Sequence, residues 1–236
     1  MKKALIISII VNILFFLFGG YAIQKKGGVD YIKRKINSQE VTINSVYRIH
    51  YETKLSFFRS MPNEANEIIF LGDSLTELCD WNELLGKNNL KNRGIDGDVI
   101  NGVIERIDEV VSSNPQKIFL MIGTNDLAQN RTIDQILIDY QKLIELILES
   151  TPKSEIYLQS VLPTNGYMNR SNNDIIRINK GINELAKKYS LTYINLFDEF
   201  KSNENELNLV YSFDGLHLNG LGYLLWKDVI LKYVEN

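Results

Sequence analysis

Cysteine and histidine are almost missing from this 236-residue chain: Cys79 stands alone, and the histidines are His50 and His217. A single cysteine excludes an internal disulfide and any C-x-x-C zinc or redox motif, and Cys79 reads as a small buried hydrophobe. With two histidines a metallo-phosphoesterase would lack its usual ligands. An excess of positive charge is also missing. The formal net charge is −3 and no basic stripe appears, which argues against nucleic acid as a partner, because phosphate binding needs clustered Lys and Arg. No internal repeat or low-complexity tract is present. The 44% hydrophobic and 23% charged residues are ordinary globular proportions, so a disordered or collagenous chain is excluded.

What the chain does have at its start is a long uncharged run. Met1-Lys2-Lys3 precedes Ala4 to Ile23, and twenty residues at 1.5 Å each match the roughly 30 Å hydrocarbon core of a bilayer. Residues 1–23 are therefore expected to be a membrane anchor with the domain outside the cytoplasm. The alternative is a signal peptide cleaved near Gly20-Tyr21-Ala22, leaving a secreted protein. Residues 24–65 read as a linker with an amphipathic helix, carrying Tyr47, Tyr51, Leu55 and Phe58 at helical spacing.

From residue 66 to 236 the pattern is that of one α/β domain. Short apolar runs at 67–71, 117–122, 155–161 and 191–195, with a further one near 90–92, read as strands. Amphipathic stretches at 98–112, 133–148, 175–189 and 221–234 read as helices between and after them. Such alternation implies a parallel sheet covered on both faces.

In open sheets of this kind ligands bind beyond the carboxyl ends of the strands. The segments there are Gly72-Asp73-Ser74-Leu75, Asn92-Arg93-Gly94-Ile95-Asp96-Gly97-Asp98 and Gly123-Thr124-Asn125-Asp126, with Asp214-Gly215-Leu216-His217 before the last helix. A serine needs a base to become a nucleophile, and the base needs a partner to fix its tautomer. His50 sits in the N-terminal helical stripe, so His217 is the credible base, and Asp214 three residues earlier can orient it. A developing oxyanion needs donors, which the Ser74 N–H, the Gly97 N–H and the Asn125 amide can supply. Each feature alone has a plainer explanation: turn glycines at Gly94 and Gly97, a helix cap at Asn125, a surface pair at Asp214 and His217. Their joint occurrence in order at strand ends is what carries weight. Asp73, Asp96, Asp98 and Asp126 could hold Mg²⁺ or Ca²⁺. Loop-holding by Asp73 and Asp126 and helix-capping by Asp98 are favoured instead. Trp81, Tyr167, Met168 and Arg170 are pocket candidates, though packing or exposure explains each as well.

These four blocks, in this order from about Ile68 to Trp226, resemble the GDSL/SGNH hydrolase family. The resemblance implies a flavodoxin-like three-layer α/β/α sandwich with a mainly five-stranded parallel sheet. It implies ester hydrolysis through an acyl-enzyme with no metal or cofactor. Ser74 would be the nucleophile, Asp214 and His217 the acid and base, and Ser74, Gly97 and Asn125 the oxyanion hole. The second glycine of the G-x-S-x-G elbow is replaced by Thr76, unlike ordinary α/β-hydrolases. Short acyl esters on glycans, or lysophospholipid-type esters, are the expected substrates. The alternative is a catalytically idle module of the same fold that binds glycan or protein.

Overall fold

The computed structural model describes the backbone of residues 2–167 and 169–235, and their side chains apart from 2–7, 10 and 35–45. The chain divides into two compact units, Met1–His50 and Tyr51–Asn236. The first contains helix α1 (Lys2–Lys25) and most of α2 (Gly28–Ser60). The expected anchor is corrected here, because among the described residues no helix is long and apolar enough to cross a membrane. The uncharged run carries the polar Ser8 and Asn12 and the glycines Gly19 and Gly20. Membrane association through this helix, and the extracytoplasmic placement inferred from it, fall with the anchor.

The second unit opens with the end of α2, where Leu55 and Phe58 are buried. Then follow β1 (Ile68–Gly72), two short helices α3 (Ser74–Glu77) and α4 (Trp81–Leu85), and β2 (Leu90–Gly94). Next come α5 (Ile100–Glu105), α6 (Ile107–Val111), β3 (Lys117–Met121), α7 (Thr124–Ala128) and α8 (Ile133–Ser150). The chain ends with β4 (Glu155–Gln159), α9 (Asn172–Lys188), β5 (Thr192–Ile194), α10 (Phe197–Phe200) and α11 (Gly220–Glu235). The five strands pair in parallel in the order β2-β1-β3-β4-β5. That order is the flavodoxin-like one, and its direction reverses between β1 and β3, so a crevice opens at their carboxyl ends.

Alternation along the strands assigns each side chain to one of two cores. Ile69, Leu71, Ile118, Leu120, Ile156 and Leu158 face α5, α8 and α9. Ile68, Phe70, Phe119, Met121 and Tyr157 face α4 and α11. On this second face the in-register residues Phe70, Phe119 and Tyr157 stack at 4.9 and 4.6 Å between ring centres, and Trp81 lies flat on Phe70 at 3.9 Å. Trp81 is thereby a core residue, closed off further by the edge of Trp226 from α11. α8 is started by a capping box in which the Thr132 hydroxyl and the Gln135 side chain satisfy each other's backbone N–H.

One helix differs from expectation. The stretch 98–112 is two helices broken at Arg106, whose φ is −115°. Its guanidinium is fully buried and bonded to Asp98 (2.9 Å), Glu109 (2.9 Å) and the carbonyl oxygens of Arg93 (2.9 Å) and Gly72 (3.4 Å). Arg93 pairs with the other Glu109 oxygen at 2.8 Å. A buried charge set of this kind persists only when every member is paired. Here the pairing draws Arg106 under the ends of β1 and β2 and interrupts the helix.

Candidate active site

Ser74 stands two residues beyond the end of β1 and opens α3. Asp73 precedes it as the helix cap, extended at φ −101° and ψ −151°, with its carboxylate accepting the Leu75 N–H at 3.1 Å. Burial pushes the Asp73 carboxyl up to about 7, with that hydrogen bond opposing. The short helix is held from three sides. The Asn92 amide donates to the carbonyls of Thr76, Glu77 and Cys79 at 2.9, 3.0 and 2.9 Å, closing the helix's free C-terminal end. The Tyr223 hydroxyl of α11 donates to the Leu75 carbonyl at 2.9 Å. Gly94 lets the end of β2 press against α3, since a Cβ there would stand 2.2 Å from the Glu77 nitrogen.

His217 reaches Ser74 from the loop before α11. Its Nε2 lies 3.1 Å from Ser74 Oγ, and its Nδ1 lies 2.8 Å from Asp214 Oδ2. A carboxylate only accepts, so Nδ1 carries the proton and Nε2 is left as the acceptor for the serine hydroxyl. Asp214 is fixed in turn, its Oδ1 accepting the N–H groups of Leu216 (2.9 Å) and His217 (2.8 Å). Its carboxyl is held down at about 2: partial burial works to raise it, but the His217 ring and these backbone donors outweigh burial. The side chains of His217 and Asp214 are 34% and 48% exposed, so the dyad lies at an open mouth, whereas Ser74 is buried.

The other strand ends complete the site. Gly97, in the loop after β2, has φ +75°, a conformation that costs glycine nothing. Asn125 lies in α7, which Gly123 caps, so Asn125 is not the cap its position suggested. Its Nδ2 donates to the Asp98 carbonyl at 3.0 Å, and its Oδ1 accepts from Arg170 Nη2 at 3.1 Å. These two bonds fix which way the amide points and tie β3's end to the Gly97 loop. Among the described residues the N–H groups of Ser74 and Gly97 are spent on no other group.

The remaining candidates have structural duties. Asp126 accepts the Ile100 N–H (3.2 Å) and Arg131 (2.7 Å). Asp98 accepts the adjacent Val99 N–H and Arg106, and the cap of α5 is Val99, not Asp98. Asp96 is exposed. No group of three or more His, Cys, Asp or Glu among the described residues is arranged to hold a metal ion. Met168 lies outside the described residues. Sequence reasoning missed the Arg93–Glu109–Arg106–Asp98 network and the contact of Arg170 with Asn125. The Arg106–Glu109 spacing of three was the one legible hint, and nothing in it signalled burial.

Residues 70–225 match the GDSL-like Lipase/Acylhydrolase family. Among curated proteins, an N-acylneuraminate cytidylyltransferase of Escherichia coli O18:K1:H7 is 28% identical over 211 residues, which are 86% of this chain and 48% of that protein. The chain thus spans about half the length of the curated relatives it matches. A solved chain from Streptococcus pneumonia, whose name refers to platelet activating factor, is 28% identical with a TM-score of 0.78, covering 84% of this chain and 99% of that one. A GDSL-like lipase from Bacteroides thetaiotaomicron shares the fold at 24% identity and a TM-score of 0.70, over 78% and 97% of the two chains. The strand order, the four polar loops at one end of the sheet and the family match over most of the second unit agree: this chain belongs to the GDSL-like lipase/acylhydrolase family.

Proposed function

We propose that the chain cleaves short acyl esters, O-acetyl groups on glycans foremost, through an acyl-enzyme on Ser74. The observation that carries this is the relay Asp214–His217–Ser74, with contacts of 2.8 and 3.1 Å. His217 Nε2 takes the Ser74 proton as Oγ attacks the ester carbonyl, and Asp214 stabilises the imidazolium that results. The N–H groups of Ser74 and Gly97 and the free hydrogen of Asn125 Nδ2 receive the oxyanion. His217 then returns the proton to the leaving alcohol. It next activates a water that attacks the acyl carbonyl and releases Ser74.

Two features favour a small acyl group. The mouth is open at His217 and Asp214, and Arg170, which bonds the Asn125 side chain there, is polar. A sugar as the alcohol fits the curated relatives, which are named for an N-acylneuraminate, an acylated sugar. The test is hydrolysis of p-nitrophenyl acetate, octanoate and palmitate by the full chain, with Ser74→Ala alongside. Turnover that falls with chain length and is lost in Ser74→Ala supports the proposal. Turnover that rises with chain length refutes the small-acyl preference. Activity that survives in Ser74→Ala refutes the mechanism, and no turnover on any ester, O-acetylated sugars included, would leave an idle binding module.

A further inference from the structure

Arg170 has no place in the Asp214–His217–Ser74 relay, yet its guanidinium touches the site. Its Nη2 donates to Asn125 Oδ1 at 3.1 Å, and its Nε is buried without a partner. No carboxylate among the described residues pairs with it. Its Cζ lies 5.4 Å from the Tyr167 ring centre. The loop that presents it is built for the purpose. The Arg170 carbonyl accepts the Thr164 hydroxyl at 2.9 Å, its N–H bonds to the Tyr167 carbonyl at 3.1 Å, and Asn172 clasps both the N–H and the carbonyl of Thr164 at 2.8 and 2.7 Å. An arginine held this firmly, with a buried donor unpaired and its charge uncompensated, is costly for the fold alone.

We propose that Arg170 is a positioning residue of the oxyanion hole. Resting on the assignment of Asn125 as an oxyanion donor, it acts through that amide in two ways. Guanidinium only donates, so it can sit only against Oδ1, which leaves Nδ2 facing the Asp98 carbonyl with its second hydrogen turned to the substrate. By drawing electron density onto Oδ1 it also polarises Nδ2–H, making it a stronger donor to an oxyanion. The positive charge, one amide's width away, favours the anionic intermediate over the neutral ester. Its effect is therefore on turnover and not on ground-state binding.

The experiment uses the full chain and p-nitrophenyl acetate, an ester without charge, with Arg170→Met, Arg170→Lys, Asn125→Ala and the double variant Arg170→Met/Asn125→Ala. Loss of an oxyanion donor costs about 10²- to 10³-fold in kcat, so Asn125→Ala is expected in that range and Arg170→Met at about 10-fold, with KM changed less than about twofold. Lysine, which keeps a donor and the charge, is expected to recover part of that loss. In the Asn125→Ala background, Arg170→Met is expected to cost nothing further, because the partner it acts on is gone. An Arg170→Met loss that is equal in both backgrounds overturns the inference. So does an unchanged kcat on this neutral ester with a raised KM confined to anionic esters, which would make Arg170 a substrate anchor. Full activity in Asn125→Ala would instead sink the oxyanion assignment beneath it.

Discussion

Replacing Arg106 by methionine tests whether the buried charge network supports the domain. Methionine has a similar volume but leaves the Asp98 and Glu109 carboxylates and the carbonyls of Gly72 and Arg93 without the donors they now share. Removing one partner from a buried pair costs about 3–5 kcal/mol. That is a large part of the roughly 5–15 kcal/mol by which a domain is stable. With a urea slope of about 2 kcal/mol/M, the unfolding midpoint is expected to fall by about 2 M at pH 8. The loss also depends on pH in a definite direction. Burial raises Asp98 to about 6 and raises Glu109, even though Arg106 opposes both shifts. The folded state therefore holds protons that the unfolded chain has released above about pH 4, and such groups lower stability as pH rises. Without Arg106 both carboxyls move higher still, so the deficit is smallest near pH 4.5 and grows towards pH 8. Urea titrations of both proteins at pH 4.5, 6 and 8 measure this. A midpoint within about 0.3 M of the parent at pH 8, or a deficit independent of pH, would refute the reasoning.

The same linkage applies at Asp73, whose carboxyl stands at about 7 in the folded state against 3.8 in the unfolded chain. Its contribution lowers stability as pH climbs from about 4 to 7. Asp73→Asn keeps an oxygen for the Leu75 N–H and does not titrate, so it is expected to gain on the order of a few kcal/mol at pH 8 and none near pH 4. Equal denaturation midpoints at pH 8 would contradict this. Asp214→Asn can donate to His217 Nδ1 and stabilise the wrong tautomer, so kcat on p-nitrophenyl acetate is expected to drop about 10²- to 10⁴-fold. In the parent, Asp214 is held at about 2, so its stabilising contribution is complete above about pH 4 and lost as pH falls through 2. An acid limb in the activity profile above pH 4 therefore belongs to another group, and a limb that vanished in Asp214→Asn would argue otherwise.

The strands and long helices were legible because burial imposes a period that a linear chain can display. Runs such as 68–71 and 118–121 are apolar without interruption because both faces of a parallel sheet are covered. The stripe in Ile133–Ser150 marks the single buried face of a surface helix. Naming His217 as the candidate base needed only a count of two histidines, and placing Asp214 beside it at a spacing of three needed only a turn. The broken helix at Arg106 was not legible, since periodicity describes apolar faces and the break is made by a charged side chain turned inward. The apolar N-terminal run misled, because composition reports hydrophobicity without reporting what the chain builds from it.

By itself, then, the order of residues determined the α/β pattern, the strand ends from which Ser74, Gly97 and Asn125 project, and the residue types able to pass a proton. Only the tertiary structure decided that His217, 143 positions from Ser74, lies 3.1 Å from its Oγ, and that Arg170 closes on Asn125 across 45 positions. The reason is physical. Local pattern follows from backbone geometry and the burial of one face, which neighbouring residues share. A hydrogen bond between distant loops depends on the packing of every element that carries them.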